Sequence, residues 1–194
     1  MNFIKKFFNI PDKEDAEIKQ QEVNLTLDDL FVHNFVQKGG KFLYCVNKQE
    51  VTSNFKKVIL ENKWNEIHLL DQSLGSIFSN KDIKKVTDFT KETPILTSCE
   101  HLIADKGEIL FSSNQLSSNR LKEYPENFIV FATTSQLVKD TNQGLTGIKT
   151  KFKKNLPTNI SSIKNYEINK SDDNFLNYGN NNSKNLYLLL LENL

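Results

Sequence analysis

Cysteine is nearly missing from this chain: Cys45 and Cys99 stand far apart, each inside an apolar run, and form no Cys-x-x-Cys spacing. That argues against a structural iron–sulfur or zinc site held by this chain alone. A disulfide between the two stays open, although free cysteine is among the most buried residue types and reduced core thiols fit a cytoplasmic protein. Net charge is missing as well. Lys+Arg number 25 against 24 Asp+Glu, so no global field attracts nucleic acid or an anionic membrane, and no nucleic-acid partner is expected. No apolar run approaches the ~20 residues of a membrane-spanning helix, so no integral membrane segment is expected. Phosphate-binding glycine motifs are absent too: there is no G-x-x-x-x-G-K-[ST], and Gly144-Leu-Thr-Gly147 lacks the glycines and the preceding strand of a dinucleotide turn. The three histidines stand at no metal-ligand spacing from one another or from a cysteine, and no internal repeat is visible.

What is present fits one domain, because 194 residues can bury a continuous core without a metal or disulfide staple. Residues 1–22 read as an amphipathic helix followed by a charged linker, and residues 23–194 as the domain proper. Phe3, Ile4, Phe7 and Phe8 fall on one helical face with Lys5 and Lys6 on the other. The lysines interrupt what would be a signal-peptide core, which argues against secretion. Residues 1–10 therefore read either as a peripheral membrane or partner-docking helix, or as a helix folded back on its own domain or placed at a subunit interface.

The domain reads in strand and helix alternation. Thr26 caps a helix through Leu27, Leu30, Phe31, Phe35 and Val36 that stops at Gly39-Gly40. A strand over Lys41–Val46, a helix over Gln49–Asn62 and a strand over Glu66–Leu70 follow, an order that favours parallel pairing through a helical crossover. After Asp71 come a short helix near Leu74–Phe78 and a polar connection. Thr93–Thr97 then leads into Cys99-Glu-His-Leu-Ile-Ala-Asp-Lys-Gly-Glu-Ile-Leu-Phe111, two apolar runs around an Asp-Lys-Gly turn. Asp105 favours the turn through its side chain, and Gly107 can take φ > 0. Asn127–Ala132 is the strongest strand signal, with Thr133 and Thr134 at its carboxyl end, where open α/β sheets place ligand crevices. A helix through Leu137 and Val138 is expected next, then a helix over Leu145–Phe152 and a short segment from Pro157 to Ile163. Asn169–Asn185 reads as loop, and the run to Glu192 as a final strand buried on both faces.

Several residues invite a chemical reading. His33 and His68 sit in apolar elements and read as structural. His101, with Cys99 and Glu100 beside it, contains the parts of a nucleophile, base and orienter, but strand alternation sets Glu100 on the opposite face. Lys149, Lys151, Lys153 and Lys154, interleaved with Phe152, read either as phosphate contacts or as a solvated helix face. Arg120 is the only arginine; its planar fork grips a carboxylate or phosphate, unless coding bias merely spared it. Polar groups also gather at Ser112-Ser-Asn-Gln115, Thr133-Thr134, Thr158-Asn159 and Ser161-Ser162, at strand ends or in loops.

Leu102-Ile-Ala-Asp-Lys-Gly-Glu-Ile-Leu110, then Arg120, then Phe128-Ile-Val-Phe131 and Leu137-Val-Lys-Asp140, resembles the lactate-utilization (LUD) domain family in its cluster-free small-subunit type. That family carries an Ala-Asp-Thr-Gly-type turn, a downstream arginine and a His-Ile-Val-Val kind of strand. Here Lys106 and Glu108 replace its small hydroxyl residues, and Lys139 its proline. Leu156-Pro-Thr-Asn-Ile-Ser-Ser-Ile163 is similar to the family's second signature, with Ser162 where aspartate is usual. The resemblance implies a bacterial, cytoplasmic α/β protein with a three-layer α/β/α fold and a mostly parallel sheet, like sugar-phosphate isomerases and CoA transferases. It implies an accessory subunit of a lactate-oxidising assembly, with iron–sulfur centres on partner subunits and no cofactor in this chain. It also implies a small anionic ligand near Asp105, Gly107, Arg120, Thr134, Thr158 and Asn159. Two other roles are compatible with the same residues: a free-standing enzyme on a phosphorylated or carboxylated metabolite, in the manner of folate cyclo-ligases, or a docking module recruited through the Phe-rich amino terminus.

Overall fold

A computed structural model describes residues 25–78, 83–168 and 182–193. The amphipathic segment 1–10, the linker to residue 22 and most of the Asn-rich stretch lie outside the described residues. Helix α1 (Leu27–Gln37) begins where the Thr26 side chain accepts the Asp29 amide, and it turns Phe31 and Phe35 fully inward. Each such phenylalanine contributes roughly 2–3 kcal/mol relative to exposure. The helix ends into Gly39, whose φ of +83° suits only glycine. Strand β1 (Lys41–Cys45), helix α2 (Lys48–Glu61, capped by Asn47) and strand β2 (Glu66–Leu69) follow. Next come β3 (Lys84–Val86), β4 (Ile95–Ser98), β5 (His101–Ile103), β6 (Glu108–Ser112) and the one-turn α3 (Ser113–Leu116). The chain closes with β7 (Asn127–Thr133), β8 (Leu137–Val138), α4 (Thr141–Lys151), β9 (Ile160–Ile163) and β10 (Asn185–Leu191).

Six strands form one wholly parallel sheet in the order β1-β10-β7-β4-β2-β3. Central strands β7 and β10 are apolar on both faces, as a sheet covered on both sides requires. One face packs Ile129, Leu189, Leu96 and Ile67 against Val51, Phe55, Val58 and Ile59 of α2. The opposite face packs Phe128, Val130, Leu186 and Leu188 against Phe31 and Phe35 of α1 and against a second sheet. This second sheet, β8-β5-β6-β9, was not expected; α4 covers its far side through Ile148 on Ile103, Leu110 and Val138. The α/β class and the parallel sheet are as the sequence implied. The fold is therefore α/β with a further small β layer beneath α4. Among the described residues, no helix is long and apolar enough to cross a membrane.

Two expectations need correction, and the disulfide that the sequence left open is absent. Leu137 and Val138 form strand β8 rather than a helix, because they pair parallel with Leu102 and Ile103 and bury Val138 in the α4 core; tertiary pairing overrides local propensity here. The helix begins only after Asp140, whose carboxylate caps it at the Gln143 amide (2.9 Å). The helix expected over Leu74–Phe78 is a single 3₁₀ turn at Gln72–Ser76. No disulfide forms: Cys45 lies in the α2-side core and Cys99 in the α1-side core, with the sheet between them.

Candidate functional site at the carboxyl ends of the strands

In a wholly parallel sheet all strands end on the same edge, which is where open α/β folds hold ligands. At β2, β4 and β7 the residues at that edge are polar. Where β2 ends, the Asp71 carboxylate accepts the Ser73 amide (3.0 Å) and hydroxyl (2.6 Å) on one oxygen and the Ser98 hydroxyl (2.5 Å), from the end of β4, on the other. Burial alone would raise the Asp71 carboxyl, but the Ser73 and Ser98 bonds outweigh it and hold it below its ordinary value. At the end of β7, Thr133 and Ser135 share a hydroxyl contact of 2.8 Å. The Gln136 side chain ties the two strand ends together. Its oxygen accepts the Thr133 amide (2.8 Å), and its Nε2 donates to the Cys99 carbonyl (2.6 Å).

Immediately beyond β4 stands Glu100, its side chain 1% exposed. Three groups donate to its Oε1: the Ser112 hydroxyl (2.7 Å), the Asn114 amide (3.0 Å) and the Gln115 amide (3.0 Å). Lys151, at the end of α4, stands 3.5 Å from Oε2 with its own side chain 65% exposed. Burial works against charge on Glu100, yet the three donors and the lysine prevail and its carboxyl sits below the ordinary value. The network thus keeps a buried anion ionised and holds one ammonium group at the surface near the carboxyl end of β4. The sequence reading placed Glu100 on an unhelpful face because it extended β5 back to Cys99. In the fold, Cys99 and Glu100 form the crossover between β4 and β5, where strand alternation does not apply. The usable signal was the pairing of a lone carboxylate inside an apolar run with the polar Ser112–Gln115 segment downstream.

The same crossover separates Cys99 from His101. Cys99 is buried in the α1-side core, and burial pushes its thiol well up. His101 faces α4, where its ring packs on Gly147 and Nδ1 lies 3.3 Å from the Gln136 carbonyl; burial pushes its imidazole down. A protonated thiol and a turned-away ring do not make a nucleophile and base.

The six residues expected to bind a ligand do not meet at one place. Asp105 is exposed in the β5–β6 turn, its amide bonded to the Lys139 carbonyl (3.0 Å). Gly107, at φ +57°, is a packing residue: a Cβ there would lie 2.4 Å from the Phe35 backbone nitrogen, and its carbonyl accepts the Tyr166 hydroxyl (2.7 Å). Thr158 and Asn159 lie at the other end of β6, about 15 Å away along the strand. The Thr158 amide donates to Ser113 Oγ (3.1 Å), and the Ser113 amide to the Asn159 carbonyl (2.8 Å). Thr134 is at the carboxyl end of β7, where its hydroxyl accepts the Asn193 amide (2.9 Å). Arg120 is exposed before the opposite, amino end of β7, some 20 Å distant from Thr134 along the strand. Thr134, Thr158 and Asn159 adjoin the carboxyl-end networks; Asp105, Gly107 and Arg120 do not. Among the described residues, no group of three or more His, Cys, Asp or Glu converges to hold a metal ion.

Neither a family model nor a curated protein matches the chain. Among solved structures, it is similar to a DUF162 family protein from Deinococcus radiodurans, with a TM-score of 0.60 and 11% identity over 87% of this chain and 99% of that one. At that identity the likeness is one of fold: this chain shares the α/β architecture of a DUF162 protein across most of its length.

Proposed function

We propose that this chain is a small accessory subunit of the lactate-utilization type, which binds a small anionic ligand of the hydroxycarboxylate class at the carboxyl ends of β4 and β7. The observation that carries the reading is the Glu100–Lys151 arrangement: a buried carboxylate held by three donors, with an ammonium group presented beside a hydroxyl-rich edge. Lys151 supplies the charge for a ligand carboxylate, and Glu100 keeps that lysine in place. Thr133 and Ser135 supply hydroxyls for a ligand hydroxyl or carbonyl. The fold likeness supports the family side of the reading, since DUF162 is the lactate-utilization domain family.

An iron–sulfur centre does not fit this chain. It has two thiols, both buried and on opposite faces of the sheet, so they cannot ligate one cluster. On this reading electron transfer falls to iron–sulfur partner subunits, and this chain binds and positions the ligand. Deleting its gene should abolish growth on lactate as sole carbon source, and the tagged chain should co-purify with a protein showing iron–sulfur absorption. Normal growth on lactate together with no such partner would refute the proposal.

A further inference from the structure

Asp71 and Ser98 meet across the carboxyl ends of β2 and β4. Leu69 pairs with Leu96, so Asp71 and Ser98, each two residues further on, come to lie side by side; Ser98 in turn pairs with Phe131, two residues before Thr133. Both are half-buried. The Ser98 hydroxyl donates to Asp71 Oδ2 (2.5 Å), and Oδ1 accepts the amide (3.0 Å) and hydroxyl (2.6 Å) of Ser73. Burial opposes charge on Asp71, but these bonds outweigh it and keep the carboxylate ionised.

A serine hydroxyl has one proton and two lone pairs. Here the proton is committed to a carboxylate, an acceptor stronger than any neutral group, so the Ser98 oxygen meets a ligand as an acceptor only. The Asp71 charge also sets a direction. It repels a ligand carboxylate, which is drawn instead toward Lys151, held by Glu100 two residues beyond Ser98. We infer, resting on the reading of this edge as a hydroxycarboxylate site, that Ser98 is its specificity-determining residue: its oxygen accepts the proton of the ligand hydroxyl and so favours a 2-hydroxy acid over the 2-keto acid of the same carbon skeleton. A keto oxygen carries no proton and would set one acceptor against another. A site built to bond a ligand O–H discriminates strongly against the analogue that lacks it.

The test is a calorimetric titration of the full chain with lactate and with pyruvate, which share the carboxylate and the three-carbon skeleton. The readout is the ratio of the two dissociation constants within each variant, so a general change in anion binding cancels. The parent should bind lactate about tenfold more tightly than pyruvate. Ser98→Ala should weaken lactate to the level of pyruvate and leave pyruvate within about twofold. Asp71→Asn keeps the shape but puts an amide in place of the charged acceptor; that amide can donate to the Ser98 oxygen and free its proton for a keto group. The preference for lactate should then vanish or reverse. Equal binding of the two acids by the parent, or an undiminished preference in Ser98→Ala or Asp71→Asn, overturns this inference and leaves the hydroxycarboxylate reading standing. No binding of either acid by the parent overturns both.

Discussion

Replacing Glu100 should separate a packed polar anchor from an incidental surface contact. Alanine removes the acceptor shared by Ser112, Asn114 and Gln115. Asn114 is exposed and can turn to water, but the Ser112 hydroxyl and the Gln115 amide are buried. Leaving two buried donors poorly satisfied costs about 1–3 kcal/mol each, so Glu100→Ala should lose about 3–5 kcal/mol. Glu100→Gln keeps an oxygen for the three donors but loses the charge and points an amide at Lys151. It should lose less, about 1–2 kcal/mol. Urea unfolding followed by Trp64 emission and circular dichroism reads both values, with the denaturant slope unchanged. The pH dependence supplies an independent check. A carboxyl lowered in the folded state adds stability that is present above its unfolded value, near pH 4.3, and is lost as pH falls through the folded one. The gap between the parent and Glu100→Gln should therefore narrow as pH falls below that unfolded value. A Glu100→Ala loss under about 1 kcal/mol, or a gap that stays constant through that window, would refute the reasoning.

Gly107→Ala combines a left-handed φ with a Cβ 2.4–2.5 Å from α1 backbone atoms that cannot give way, so it should cost more than about 3 kcal/mol. Gly75→Ala, whose Cβ would meet nothing closer than 3.7 Å, should shift stability by less than about 0.5 kcal/mol; similar melting points for the two would contradict the packing role. Burial pushes the Lys184 ammonium down to about 8, against the opposing charge of Glu126. The unfolded chain then holds more protons than the folded one between about pH 8 and about pH 10, and this group's contribution to stability rises across that window. Lys184→Met should remove that rise, seen in unfolding free energies at several pH values, and an unchanged slope would count against a buried ammonium. Burial also raises both thiols, so Cys45 and Cys99 should react with a thiol reagent only in denaturant. Rapid native labelling of Cys99 would contradict its core position.

Local signals carried much of the fold. The Thr26 cap, the Gly39 stop and the doubly apolar strands β7 and β10 are legible because each follows from one residue's backbone chemistry or from an uninterrupted apolar run. Long-range pairing was not legible. Strand β8 has only two residues, and nothing local tells that Leu137 will lie against Leu102. Strand β3 hid in a polar stretch because it is a short sheet edge with exposed lysines. The site was legible in kind more than in place. Thr133 and Thr134 were found by the rule for carboxyl ends of parallel strands. Asp105 and Gly107 stood out because turn chemistry is conspicuous in a sequence, and Gly107 proves to serve the seating of the turn on α1. Glu100 was set aside because the β4–β5 crossover was read as strand, and its partners, which come from three separate elements, are not visible in the local pattern.

The most direct test of the carboxyl-end site is an amide-resonance titration of the full chain with lactate. Saturable shifts centred on Glu100, Thr133–Gln136 and Lys151, and abolished by Lys151→Ala, are the predicted result. Absence of saturable shifts, or shifts that persist in Lys151→Ala, would contradict it.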